Sequence, residues 1–177
     1  MCAPSSMRIR LINEQKATMI VEQITYSRTE GTYDSAIFTA EKSSDFSRAY
    51  RSKKNVQDFV FADGYAKDGK SVERRMAEDM DLAEEVCVYA KLPKGFSIPT
   101  PVGNYSPDWA IAFNKPPIKH IFFIAETKGT METLNLKPIE QAKIKCAKKL
   151  FAGLSTEDVV YHDVDSYESL KGIMDSL

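Results

Sequence analysis

An α/β layered fold follows from three observations on this chain. Its elements run helix, three strands, helix, strand, the order in which helices cover a sheet. Ile118 to Ala125 is almost wholly apolar, the pattern of a strand covered on both faces. With 177 residues and 43% apolar content, the chain can close one core and is too apolar for wholesale disorder.

The elements follow in order. Residues 9–24 mix apolar and polar positions and read as a short helix or an extended lead-in. Ile24, Tyr26, Tyr33, Ala36, Ile37 and Phe38 suggest a strand or hairpin broken at Glu30-Gly31. Residues 41–55, with Lys42, Arg48, Arg51, Lys53 and Lys54, read as a loop or short helix. Val56 to Ala62 is a strand closed by Asp63-Gly64, and a turn-rich loop runs on to Lys70. Ser71 is an N-cap for a helix to about Glu85. Val86 to Leu92 is a strand in which Cys87 is expected to be a buried free thiol. A Pro/Gly loop then leads to a strand from Trp109 to Phe113, and Lys115-Pro116-Pro117 turns the chain into the apolar strand. Pro138 sits in the first turn of a helix to Phe151. Val159 to Val164 is a strand and Tyr167 to Met174 a last short helix. Residues 1–20 are expected to be a tail or a remnant of a preceding region, and 21–177 the folded domain.

Charge and composition exclude several functions. The net charge is −1, so no global basic field announces nucleic-acid binding. Any DNA contact must come from a local patch or from another part of a larger protein. Three cysteines, two histidines and no CxxC argue against a disulfide framework or a structural zinc. No G-x-S-x-G elbow supports a serine nucleophile. No signal peptide is visible, and no apolar run approaches the roughly 20 residues of a membrane helix. A cytoplasmic protein with no membrane partner is the expectation.

The chemistry gathers at Pro107-Asp108 and at Glu126-Thr127-Lys128. These stand at the start of one strand and the end of the next. Two carboxylates give oxygen ligands for a hard cation, and an ammonium beside them suits an attacking water and a phosphate. Strand alternation puts Trp109, Ile111 and Phe113 on one face and Asp108, Ala110 and Ala112 on the other. Glu126 and Lys128 continue the apolar face of Phe122 and Ile124. The competing reading is a solvated strand end for the pair, and a turn residue for Asp108. Two charges that extend a covered face need a partner or a task. Helical spacing places Glu73 on the stripe of Met76, Ala77 and Met80, as a ligand or as a first-turn acid on the helix dipole. Lys143 falls among Ile139, Cys146 and Leu150, as a snorkelling core-edge residue or a phosphate contact. Lys145, Lys148 and Lys149 face outward.

A second motif competes. Gly64 to Ser71 matches G-x-x-x-x-G-K-[ST], the loop that cradles phosphates of bound nucleotides. Asp63 and Asp68 put negative charge where phosphates would lie, and the helix that follows is highly charged. A Gly-rich surface loop ending in an N-cap serine accounts for the same residues.

The spacing Pro107-Asp108 to Glu126-Thr127-Lys128 resembles that of the PD-(D/E)xK nucleases. More of the chain, from about residue 11 to 170, resembles the C-terminal nuclease domain of the restriction subunit of type III restriction-modification enzymes. The segments LINEQKATMIVEQITY, VERRMAEDMDLAEEVCVYAKLPKGFSIPTPVGNYSPDWAIAF, IFFIAETKGT and PIEQAKIKCAKKLF carry that resemblance. It implies a restriction-endonuclease-like three-layer fold, a mixed central β-sheet flanked by helices. It implies Mg²⁺-dependent cleavage of double-stranded DNA, with Mn²⁺ as a substitute, by Asp108, Glu126, Lys128 and Glu73. Asp108, Glu126, the Thr127 carbonyl and Glu73 would be the metal ligands. The family's ATP-driven motor region and its modification methyltransferase subunit would be the partners. Nothing here resembles the motor, so the expectation is the nuclease module alone, with no ATP binding of its own. A docking domain that keeps the fold without the chemistry is the remaining alternative.

Overall fold

The computed structural model describes residues 21–27, 31–40, 49–62, 71–93, 95–115, 118–124, 138–154, 159–164 and 166–176. A mixed four-stranded sheet stands at its centre, in the order β3 (Val86–Lys91), β4 (Trp109–Lys115), β5 (Ile118–Ile124) and β6 (Val159–His162). β4 pairs antiparallel with both β3 and β5, and β6 runs parallel to β5. The parallel step needs a crossover, supplied by the helix α3 (Pro138–Leu154). Before the sheet come a one-turn helix α1 (Ile37–Ala40), a two-stranded ribbon of β1 (Ala49–Arg51) and β2 (Phe59–Phe61), and the helix α2 (Val72–Leu82). The helix α4 (Tyr167–Ser176) closes the chain of elements.

The expected faces of β4 are the observed ones. Trp109, Ile111 and Phe113 are 0–1% exposed and pack with Met76, Ala77 and Met80 of α2 and Leu170 and Met174 of α4. Among the described residues, the buried indole N–H of Trp109 has no hydrogen-bond partner. That costs about 1–3 kcal/mol, less than the roughly 5 kcal/mol gained by burying so large a ring. On α3, Ala147 and Phe151 join Tyr161 of β6, Ile98 and Tyr105 in a separate cluster. Helices thus flank the sheet in the expected layers.

The N-terminal third departs from expectation. Ile37 and Phe38 lie in α1, not in a strand, because Asp34 caps the turn: its side chain accepts from the Ala36 N–H at 2.7 Å. The polar stretch expected to be a loop or short helix contains β1, which pairs with β2 from Ala49↔Phe61 to Arg51↔Phe59. The cause is Asp81, 8% exposed, whose carboxylate accepts from the Tyr50, Ser52 and Tyr89 hydroxyls and from the Lys53 and Lys54 amides. Residues 54–56 also line the outer edge of β3, with Val56 N–H donating to the Tyr89 carbonyl at 2.9 Å. α2 ends at Leu82, three residues early, with extended Ala83 as C-cap and the Lys54 ammonium donating to the Ala83 carbonyl. Cys87 is exposed, contrary to expectation, because the ladder slips between Val86 and Val88 and Cys87 is the extra residue of that bulge. Residues 1–20 lie outside the described residues.

Candidate active site

One end of the sheet collects the candidate residues. Lys91, last in β3, pairs with Trp109, first in β4; Trp109 pairs with Ile124, last in β5; and Ile124 lies opposite His162, last in β6. Asp108 stands one step outside this row. Buried Pro107 fixes the chain before it, and the Asp108 carbonyl accepts from the Leu92 N–H at 2.7 Å. The side chain is half-buried. Glu126, Thr127 and Lys128 follow Ile124 at a distance of two to four residues and lie outside the described residues.

Two buried aromatic hydroxyls pair on the sheet side held by α3, and one of them feels the Asp108 charge. Tyr161 shares a hydrogen bond of 2.9 Å with Tyr105 and stacks on Phe151 at 5.3 Å. Burial pushes the Tyr161 hydroxyl up, the Tyr105 bond opposes this, and the Asp163 and Asp108 carboxylates push it further up. Tyr161 therefore stays protonated near Asp108. Beside it, burial and then the Lys148 ammonium hold His162 below the usual imidazole range, against the pull of Asp163. Lys148 and Asp163 form an ion pair at 2.5 Å.

Ser71 caps α2 as expected, its hydroxyl accepting from the Arg74 N–H at 3.1 Å. Glu73 in the first turn points to the sheet, as its stripe required. There its carboxylate meets the Lys91 ammonium in an ion pair, and Lys91 also donates to the Phe61 carbonyl at 2.9 Å. Lys143 is half-buried on α3. Its Nζ lies 3.8 Å from where a β-carbon on Gly103 would stand. Gly103 has φ +104 in the turn that begins at Thr100, so the lysine reaches the loop leading to β4. The structure thus brings Asp108 to the sheet end with Lys91, Tyr161 and His162, and puts Glu73 there as the partner of Lys91. Lys91 was missed in the sequence. Its signal was present, since it lies two residues beyond Tyr89 on the face turned to α2.

A hard cation suits the donor set of Asp108, Glu126 and the Thr127 carbonyl, all oxygen. Among the described residues, no three His, Cys, Asp or Glu side chains cluster tightly enough to hold a metal. The phosphate-loop match Gly64–Lys70 lies outside the described residues. Its flanks do not suit it: β2 pairs antiparallel in the separate two-stranded ribbon, and the Ser71 hydroxyl is used in capping.

With this geometry in view, the family match is decisive: residues 53–167 fit the family described as endonuclease domain. The chain belongs to that endonuclease-domain family. Its fold is restriction-endonuclease-like, and the matched span runs from the Asp81-anchored loop through all four sheet strands to the start of α4. No curated protein and no solved structure matches the chain. Among the described residues, no helix of this endonuclease domain is long and apolar enough to cross a membrane.

Proposed function

We propose that this endonuclease domain hydrolyses DNA phosphodiester bonds with Mg²⁺, as the nuclease module of a type III restriction subunit. One observation carries the reading. β4 begins where β5 ends, Trp109 opposite Ile124, so Pro107-Asp108 adjoins the strand end that leads into Glu126-Thr127-Lys128. Asp108 and Glu126 would hold the ion, with the Thr127 carbonyl as a further ligand, and the ion would supply Lewis-acid polarisation of the scissile phosphate. Lys128 orients the attacking water and offsets charge on the phosphate oxygens. Lys143, reaching the Gly103 turn, contacts a flanking DNA phosphate. Tyr161, kept neutral by burial, adds no competing charge.

The type III assignment rests on the four segments quoted above. On that assignment the motor region and the methyltransferase subunit deliver the DNA, and Mn²⁺ replaces Mg²⁺. Asp108→Ala and Lys128→Ala, placed in the complete restriction complex, test the mechanism through Mg²⁺-dependent nicking. Each is expected to abolish it. Unchanged cleavage by either purified variant would remove that residue from the chemistry.

A further inference from the structure

We propose that Glu73 is the fixed counter-ion of Lys91 and not a metal ligand, and that this pair positions the strand end on which Asp108 is registered. The proposal rests on the metal-dependent reading of the site and deepens it. The Glu73 side chain is 13% exposed and that of Lys91 19%. A carboxylate in so dry a place cannot turn to a divalent ion without leaving the ammonium poorly solvated and unpaired. Lys91 and Glu73 lie on the face of Tyr89 and Trp109, toward α2, and the ion pair is closed within that layer.

The pair has a mechanical consequence. Through Phe61, Glu73 and Lys91 it ties the ends of β2, α2 and β3 together. Lys91 is the register partner of Trp109, and the next residue, Leu92, holds the Asp108 carbonyl. Lys91 is therefore a positioning residue that acts on Asp108 through the β3–β4 ladder.

The test is a double-mutant cycle of Glu73→Gln and Lys91→Met on the whole chain, read by melting temperature without metal and at saturating Mn²⁺. The double variant is expected to melt higher than the sum of the two single shifts allows, by the same margin in both conditions. Coupling that is absent without metal, or that vanishes when Mn²⁺ binds, overturns the proposal. Mn²⁺ affinity, followed by the electron paramagnetic resonance of the free ion, is the second readout. Glu73→Gln is expected to stay within about a hundredfold of the parent, the upper edge of what outer partners of a metal site contribute. A larger loss makes Glu73 a ligand. Should Glu73→Gln not fold, Lys91→Met alone decides: with the ladder loosened beneath Asp108 it is expected to bind Mn²⁺ more weakly than the parent, and unchanged or tighter Mn²⁺ binding overturns the proposal. Asp108→Asn separates the two ideas: undiminished Mn²⁺ binding in that variant contradicts the metal reading and leaves the metal-free coupling intact.

Discussion

Backbone contacts hold Asp108 in its place. Pro107 restricts the approach, Leu92 holds its carbonyl, and Trp109 locks the next residue between β3 and β5. Replacing its half-buried carboxylate by alanine is expected to cost no more than about 3 kcal/mol in urea unfolding, the ordinary range for one substitution, while removing activity. A larger loss would mean that Asp108 is structural. Asp108 and Glu73 were legible because a motif and a helical stripe mark them. The partnership of Glu73 with Lys91 was not, because no spacing rule says which acid a strand-end lysine meets; the β3–β4 register decides it. Cys87 was misread for a related reason. Strict alternation has no place for a bulge, and the slip at Val86/Val88 turns the thiol outward.

Among the elements, the ribbon of β1 and β2 depends on one carboxylate. Burial alone would raise the Asp81 carboxyl, but hydrogen bonds from Lys53, Tyr50, Ser52 and Lys54 outweigh it and hold it below the usual range. Asp81→Ala strands several buried donors at once. It is expected to cost more than about 3 kcal/mol in urea unfolding, with the greatest loss of amide protection at residues 49–62. A cost below about 1 kcal/mol would mean that the ribbon stands without it. Ser71→Ala removes one cap bond and is expected to cost about 1 kcal/mol. The longer elements were readable because periodicity and capping are local. β1 was not, since Ser52, Lys53 and Lys54 look like loop residues until Asp81, far along the chain, supplies their acceptor.

For the molecule as a whole, acid is the weakness. Glu85 is held down to about 2 by its own backbone N–H, then by Lys171 and Tyr167. Asp81 and His162 are also held below their usual ranges. The folded chain thus binds these protons less readily than the unfolded one, and stability must fall with falling pH. The decline is expected to begin near pH 6.5 with His162 and to steepen from about 4.5, continuing toward 2. Denaturant midpoints across that range check it, and Glu85→Gln should flatten the acid limb. At a net charge of −1 the chain has little hold on DNA by itself. Its affinity is expected to be weak and to drop steeply between 50 and 200 mM salt. Tight, salt-insensitive binding by the isolated chain would contradict that dependence on tethering.

Thermal melting of the chain with Mg²⁺ or Mn²⁺, with ATP, and with Asp108→Ala as control tests the central claim most directly. A ligand that binds only the folded state raises its melting temperature. The account predicts stabilisation by either divalent ion, none from ATP, and loss of the metal effect in Asp108→Ala. Metal stabilisation that survives loss of Asp108 would contradict the site, and ATP stabilisation that disappears in Lys70→Ala would return the Gly64–Ser71 loop to first place.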